Sequence, residues 1–402
     1  MSSASPSTQS RATSITSVLD VAHFDAQVTS TTPAWRIHGQ VYDLSAFLER
    51  HPGGPEVLRS VKGTEDLTAI FESSHAFADR ARVEGIMSKY RVGTCEPSPL
   101  AFPANGFYRV VTERVRAKLF AAHGVHATGW WWLKSALLTL AWAASFAFAF
   151  FGAGSANAST GARCLASLIA GHLFICVGFV VMHDASHSAV SSSPRVNGML
   201  SWLWNATACW DHRLWHKHHV YRHHSFTGDV SKDPDTVHFT PFLKKHAGKA
   251  GGPTPIALSR CAPWSAAVFF VGLFPGMYLG QVISYARWWQ RGRLWKMSLV
   301  PNTSLDVGAC AIRGAVLYVF MCSPLVALCY LLANNFTYAV CILPDHDTED
   351  TRLASAVPSK DWGEEQVRNS ANFATANPLV GALYGGINFQ IEHHLFPTLS
   401  HV

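Results

Sequence analysis

This chain is rich in histidine, whose imidazole ring can bind metal ions, with 21 histidines among 402 residues. Seven of them stand in three short clusters, here called histidine boxes: His183-Asp184-Ala185-Ser186-His187, His219-Val220-Tyr221-Arg222-His223-His224 and Gln390-Ile391-Glu392-His393-His394. Histidines four residues apart in a helix lie on one face and can share a metal ion. One such pair arises easily by chance, but three boxes, each beside an apolar segment, predict a metal site.

The boxes offer more imidazoles than one zinc ion needs, since a structural zinc site closes with a small tetrahedral set of ligands. They supply His183, His187, His219, His223, His224, His393 and His394, and His346 follows the last apolar run in Pro344-Asp345-His346-Asp347. Two metal ions with nitrogen ligands and few carboxylates suit iron in a site that activates dioxygen. The sequence therefore predicts a pair of non-haem irons.

Two further histidines near the N-terminus have the spacing of a haem clamp. His51 lies in the turn His51-Pro52-Gly53-Gly54, behind residues 35–42, which alternate like a short strand, and His75 follows 24 residues later. Two histidines on separate elements can bind a haem iron from both faces, so that it transfers electrons without binding dioxygen. Glycines beside His51 let the backbone approach the macrocycle. This segment predicts a haem domain that donates single electrons to the non-haem irons predicted from the histidine boxes.

The rest of the chain has the composition of a membrane protein. Hydrophobic residues make up 49% and charged residues 14%, against about 25% charged residues in soluble domains. Apolar runs cover 130–152, 163–183, 263–285 and 307–343, and a membrane span needs about 20 residues. The first two runs predict a helical hairpin. The net charge is +6, and the basic residues are scattered along the chain, which argues against a nucleic-acid interface. The nine cysteines form no CxxC pair, which indicates free thiols.

The number of spans depends on the last two apolar runs. If all boxes face one side, an even number of crossings separates the second box from the third. Either 263–285 and 307–343 each cross once, or 263–285 lies on the membrane and 307–343 divides near Pro324 into two short spans. The second solution is favoured by a basic segment that should stay cytoplasmic, which contains Arg287, Arg291, Arg293 and Lys296.

These patterns predict an α-helical integral membrane protein of about four transmembrane helices with a cytosolic di-iron cap, preceded by a small α+β haem-binding domain. The Ser/Thr-rich residues 1–32 lack a signal-peptide core and are expected to form a disordered tail, with a transit peptide as the alternative. The haem-binding domain is expected at 33–95, a linker and pre-membrane helix at 96–128, and the membrane domain at 129–402.

Two family resemblances follow from these motifs. Residues 33–95 resemble a cytochrome b5 domain through the run VYDLSxFLxxHPGG and the second histidine, which implies haem b with His51 and His75 as axial ligands. The boxes HDxxH, HxxxHH and QxxHH resemble the membrane-bound fatty acid desaturase superfamily. Gln390, in place of the usual first histidine of the third box, resembles the front-end desaturases, which carry an N-terminal cytochrome b5 domain.

The superfamily resemblance implies a set of metal ligands. Carried over box by box, these are His183, His187, His219, His223, His224, His393 and His394. Gln390 would occupy a ligand position, directly or through water. His346 matches a further histidine that the family places after its last transmembrane helix.

The resemblance also implies a reaction and its partners. The enzyme would remove two hydrogens from adjacent methylenes, with O2 as co-substrate, and place a cis double bond between an existing one and the carboxyl end of an acyl chain. The implied partners are a fatty acyl lipid or acyl-CoA, NADH–cytochrome b5 reductase as electron donor and membrane lipids, with no nucleic acid. The implied location is the endoplasmic reticulum membrane, multi-pass, with the N-terminal domain and the boxes cytosolic.

Several residues near the boxes carry further expectations. Asp184 is expected to accept a hydrogen bond that fixes an imidazole tautomer. Asp233-Pro234-Asp235 resembles a family feature or is a simple turn, and His216 and His218 lie off the box pattern. Aromatic candidates for an acyl tunnel, or for core and bilayer contacts, are Trp202, Trp204, Trp210, Trp215 and Phe389.

Two other functions are compatible with these residues. The same scaffold could serve a sphingolipid long-chain-base desaturase or an acyl hydroxylase, which the boxes do not separate from an acyl desaturase. The chain could also be a haem-containing membrane electron carrier whose histidines bind haem or zinc, and that interpretation predicts no non-haem iron.

Overall fold

The structure is a computed structural model that describes residues 34–63, 66–119, 124–152, 158–229, 232–239, 303–346, 348, 351 and 359–402. Three predictions fall outside these residues: the disordered tail at 1–32, the membrane-surface position of 263–285, and the basic segment at 287–296.

The N-terminal part is a small sheet with helices beside it. Three antiparallel strands, β1 (Trp35–Ile37), β2 (Gln40–Tyr42) and β3 (Arg91–Thr94), pair in the order β1-β2-β3. The helices of this part are α1 (Pro55–Ser60), α2 (Thr68–Ser74) and α3 (Arg80–Met87), and 3-10 turns cover Leu48–Arg50 and Ser88–Tyr90.

The strand predicted over residues 35–42 is two strands joined by a tight turn. His38 and Gly39 both have positive φ, 51° and 69°, which is the backbone that a two-residue hairpin turn requires. Burial alternates along β1, as predicted, but not along β2. The chain reverses between them at His38, because histidine tolerates a left-handed backbone that β-branched residues avoid.

Within the described residues, four helices are long and apolar enough to cross a membrane: Gly129–Phe151, Thr160–Ser186, Ser304–Cys322 and Pro324–His346. They are called the first to fourth spans. The first and second pack against each other, as the predicted hairpin requires. The apolar run at 307–343 is divided at Ser323, because Pro324 lacks the N–H group that would extend the third span and suits the first position of a new helix. The predicted division of this run into two short spans is confirmed, whereas the surface position of 263–285 stays a prediction.

The second span lies between the first and the fourth. A Cβ atom on Gly171 would lie 2.4 Å from the carbonyl oxygen of Tyr330, so the glycine lets the second and fourth spans approach closely, as small residues do in membranes. The first and third spans are less buried than the second and fourth, and they keep large apolar side chains exposed for lipid, among them Leu137, Leu140, Tyr318 and Met321.

Short helices surround the ends of the spans that carry the boxes. Phe107–Leu119 precedes the first span. The others are Pro194–Thr207, His212–Trp215, His224–Phe226, Pro234–Phe239, Trp362–Asn369, Pro378–Leu383 and Gln390–Leu395.

Candidate metal centre

Two of the histidine boxes lie on π-helical turns. Gly178–His183 continues the second span into the first box, and His216–His223 carries most of the second box. A π-helix is wider than an α-helix and occurs often at functional sites. It brings residues i and i+5 together, so that the Nε2 atoms of His219 and His224 lie 3.4 Å apart. The α-helical spacing assumed from the sequence did not predict this pair.

The first of two histidine groups, group one, joins all three boxes. It consists of His183, His187, His219 and His393, whose ligand atoms all lie within 4.8 Å of one another. The Nε2 atoms of His183 and His219 are 3.0 Å apart. These four side chains could hold one metal ion.

Group two consists of His223, His346 and His394, with Gln390 beside them. The Nε2 atoms of His223 and His346 are 3.2 Å apart, and the amide nitrogen of Gln390 lies 2.9 Å from Nε2 of His346 and 3.2 Å from Nε2 of His394. All four side chains are buried or nearly so. Group two could hold a second metal ion.

His224 lies between the two groups. Its ring stacks on that of His394, with ring centres 4.3 Å apart, and its Nε2 atom lies 3.1 Å from Nε2 of His393. Its ring centre is also 4.5 Å from that of His187. The side chain therefore touches members of both groups.

The imidazoles of group two are held by partners behind them. Nδ1 of His346 donates to the carbonyl oxygen of Asn369 at 2.8 Å, Nδ1 of His394 to Oε1 of Gln366 at 2.9 Å, and Nδ1 of His223 to Oδ1 of Asp233 at 3.1 Å. A proton on Nδ1 leaves the Nε2 lone pair free, which is the arrangement found behind metal-binding histidines. Sequence reasoning missed Gln366 and Asn369, because no local spacing connects them to the boxes.

The donor set fits metal cations. Burial, followed by the charges that neighbouring imidazoles would carry, holds the pKa of His187, His219 and His393 well below its usual value, so these rings are neutral. Nε2 of His187 and Oε1 of Gln390 are buried without any hydrogen-bond partner. Converging neutral nitrogens and orphaned acceptors are costly to bury, and a cation between them removes that cost.

The predictions for the acidic residues beside the boxes differ in their outcome. The carboxylate of Asp184 accepts hydrogen bonds from Nε1 of Trp131 at 3.0 Å and Nδ1 of His401 at 2.7 Å. It therefore fixes an imidazole, but that of His401 near the end of the chain and not that of a box. Asp233 and Asp235 are more than a turn, since Asp233 holds His223 and Asp235 lies 2.6 Å from His218.

A cleft opens beside the two groups. Its apolar wall is formed by Phe179, Tyr338, Ile342 and Ile387, and Trp215 lines it as well. Histidines from both groups reach the same cleft, and so does Gln390.

Of the aromatic tunnel candidates, Trp215 alone lines this cleft among the residues that the structure describes. Its ring stacks on that of His219, with ring centres 4.4 Å apart. Trp204 instead packs among the spans, where Nε1 donates to the carbonyl oxygen of Phe174. Trp210 packs against the same core, and Phe389 is 38% exposed.

His51 and His75 face each other in the N-terminal domain, with ring centres 6.2 Å apart. Nδ1 of His51 donates to the carbonyl oxygen of Gly54 at 3.2 Å, and Nδ1 of His75 to that of Phe71 at 2.8 Å. Each Nδ1 therefore carries the proton, and each Nε2 lone pair is free to bind an iron between the two rings. Burial lowers the pKa of both histidines, which favours the neutral form that binds a metal. The pair fits a haem iron.

Comparison with known proteins gives the family. The sequence profile described as "Fatty acid desaturase" matches residues 158–402, more than half of the chain. The profile described as "Cytochrome b5-like Heme/Steroid binding domain" matches residues 20–96. That domain suggests haem, and the desaturase family together with the two histidine groups suggests a pair of irons.

Curated relatives extend over nearly the whole chain. The "Acyl-lipid (7-3)-desaturase" of Rebecca salina is 27% identical over 412 residues, covering 96% of this chain and 85% of the relative. The chloroplastic "Acyl-lipid (7-3)-desaturase" of Chlamydomonas reinhardtii is 29% identical, covering 90% and 71%. The "Acyl-lipid (8-3)-desaturase" of Mortierella alpina is 26% identical, covering 90% and 83%. The chain is thus a multi-pass membrane protein that belongs to the fatty acid desaturase family and carries a cytochrome b5-like domain in front.

Proposed function

We propose that this protein is a front-end acyl-lipid desaturase, which inserts a cis double bond between an existing double bond and the carboxyl end of a fatty acyl chain. The observation that carries the proposal is the convergence of three histidine boxes into two buried groups beside one apolar cleft. The names of the relatives, acyl-lipid (7-3)- and (8-3)-desaturases, support an acyl lipid as the substrate.

The proposed iron ligands follow the two groups. His183, His187, His219 and His393 would hold one iron, and His223, His346 and His394 the other. Gln390 would act at the second iron, directly or through water, because its amide points at two of those histidines. His224, which touches both groups, completes the proposed set.

When bound, the iron pair would supply the dioxygen chemistry, in which each double bond consumes one O2, two electrons and two protons and releases two waters. The chain's own contribution is to place one C–C bond of a featureless methylene chain beside that pair. Positioning of this kind is worth many orders of magnitude in rate. The apolar wall formed by Phe179, Tyr338, Ile342 and Ile387 is the proposed holder of the acyl chain.

Electrons are proposed to enter through the cytochrome b5-like domain, with His51 and His75 as axial ligands of haem b. NADH–cytochrome b5 reductase is the proposed donor to that haem, and an acyl lipid or acyl-CoA the proposed substrate. The proposed location is the endoplasmic reticulum membrane, with the N-terminal domain and the boxes on the cytosolic side. The packing of the domain against the boxes supports their lying on one side.

A host cell that lacks this activity tests the proposal when it is fed defined polyunsaturated acids. We expect the wild-type protein to add one double bond on the carboxyl side of existing ones, located by mass spectrometry of the extracted lipids. His394→Ala should abolish the new product, because it removes a member of group two. His126→Ala is the matched control, since His126 lies outside the boxes and both groups.

The product also separates the alternatives. A hydroxylated acyl chain would favour the hydroxylase, and a desaturated long-chain base the sphingolipid enzyme. An identical lipid profile for the wild type, His394→Ala and the empty host would count against desaturation and leave the electron carrier as the better interpretation.

A further inference from the structure

The haem-binding domain is packed against the helices that carry the histidine boxes. Next to His51, a Cβ atom on Gly54 would lie 2.9 Å from the side chain of Pro194, so the two backbones approach closely there. Phe77, just after His75, packs on Phe396 of the third box region, with ring centres 5.3 Å apart. One contact thus lies close in sequence to each of the two proposed haem ligands.

The centre of this interface is Tyr221, which stands inside the second box between His219 and His223. Its ring is 2% exposed and belongs to the hydrophobic core of the haem-binding domain. That core consists of Trp35, Ile37, Leu44, Val61, Leu67 and Tyr221 itself. Its hydroxyl donates to the carbonyl oxygen of Asp66 at 3.0 Å, just before helix α2. A single side chain from the iron-binding helix thus completes the core of the neighbouring domain.

The same core reaches His75. Phe71 packs against it, and the ring centres of Phe71 and His75 are 4.8 Å apart. On the other side of Tyr221, the backbone leads within two residues to His219 of group one and His223 of group two. The proposed haem and the proposed iron pair are therefore joined through one hydrophobic core and a short stretch of chain.

Tyr108 joins the same two parts at a second place. The side chain is fully buried, and its hydroxyl lies 3.5 Å from the carbonyl oxygen of Glu72 and 3.3 Å from that of Leu395, next to His394. Arg109 beside it forms an ion pair with Glu72. Helix Phe107–Leu119 thus clamps helix α2 to the third box.

We propose that the haem-binding domain delivers electrons from one fixed docked position, with Tyr221 as the positioning residue that couples it to the iron pair. The inference rests on the proposed function. Each transfer oxidises one ferrous haem to ferric haem and reduces one ferric non-haem ion to ferrous, and two transfers supply the two electrons of one desaturation. Tyr221 itself is neither oxidised nor a metal ligand in this scheme.

The test uses the full-length holoenzyme in detergent with Tyr221→Leu, Tyr221→Phe and, as a matched control, Tyr318→Leu on the lipid-exposed face of the third span. The rate at which reduced haem is reoxidised on mixing with O2 and substrate should fall about tenfold in Tyr221→Leu, which corresponds to about 1.4 kcal/mol of lost coupling or docking free energy. Tyr221→Phe keeps the ring and should retain most of the wild-type rate, as should the control.

Three further readouts distinguish coupling from general damage. Non-haem iron and haem contents should stay at wild-type values in Tyr221→Leu. Product formed in a single turnover, after a small-molecule reductant has reduced the irons directly, should also be unchanged. Amide hydrogen exchange over Thr68–Ser74 should become faster, because helix α2 has lost its anchor.

An unchanged rate of haem reoxidation in Tyr221→Leu overturns the inference. The second test uses the wild type alone and measures haem reoxidation in increasing concentrations of glycerol. A rate that falls as the solvent viscosity rises also overturns the inference, because viscosity slows a domain that must move to its docking site and not one that is already docked. Failure of the proposed function gives a different result. The wild type would then form no desaturated product even with chemically reduced irons.

Discussion

Replacing Glu72 with glutamine removes a buried charge between the haem-binding domain and helix Phe107–Leu119. The carboxylate is 5% exposed and accepts hydrogen bonds from Nε2 of His38 at 2.7 Å and Nη2 of Arg109 at 2.5 Å. Burial alone would raise the pKa of Glu72. The hydrogen bonds from His38 and Arg109, with the charge of Arg109, outweigh it and lower the pKa from 4.5 to about 2.

The magnitude follows from that difference. One pKa unit corresponds to about 1.4 kcal/mol, so the charged form of Glu72 adds about 3 kcal/mol to the free energy of unfolding. Because the pKa is lower in the folded state, this contribution is complete well above pH 4.5 and disappears as the pH falls from 4.5 to about 2. Glu72→Gln should therefore destabilise the domain strongly at pH 7 and progressively less below pH 4.5.

Urea denaturation of the detergent-solubilised protein, followed by haem absorbance at several pH values, measures the effect. Glu56→Gln is the control, since Glu56 forms an exposed ion pair with Arg59 and such pairs contribute about 0–1 kcal/mol. Equal stability of Glu72→Gln and the wild type at pH 7 would refute the reasoning. So would a difference that persists unchanged at low pH.

Three further changes have defined outcomes. Asp233→Ala removes the acceptor behind His223, so iron affinity in a chelator competition should fall about 10–100-fold while haem content stays constant. Gly385→Ala places a Cβ atom 2.6 Å from the carbonyl oxygen of Phe179 at a φ of +65°, and the unfolding free energy in a denaturant titration should fall by about 1–3 kcal/mol. His75→Ala should eliminate the haem absorbance without changing non-haem iron, because the two sites lie in separate parts of the chain.

The histidines of each box could be placed together from the sequence because their spacing is local, and the first box also stands at the end of an apolar run. His183 and His187 are on one turn whether that turn is α- or π-helical. The width of the turn, which brings His224 against His219, could not be predicted. A π-helical turn depends on its tertiary surroundings more than on the residue types within it.

The hydrogen-bond partners of the imidazole Nδ1 atoms could not be predicted from the sequence either, because they come from distant parts of the chain. Gln366 reaches His394 from another helix, and the carbonyl group of Asn369 has no side-chain signature at all. The same holds for Tyr221, whose position in a box hides its contact with a core more than a hundred residues earlier. Sequence patterns indicate which residues share one face of a helix or strand, whereas the residues that pack against that face are known only from the fold.

The two proposed iron sites and the haem site are tested together by the metal content of the purified full-length protein, measured by elemental analysis beside a haem assay. Two histidine groups and one facing histidine pair predict two non-haem irons and one haem per chain, with His346→Ala losing non-haem iron and keeping the haem. Zinc in the histidine groups, or haem as the sole iron of the chain, would contradict it.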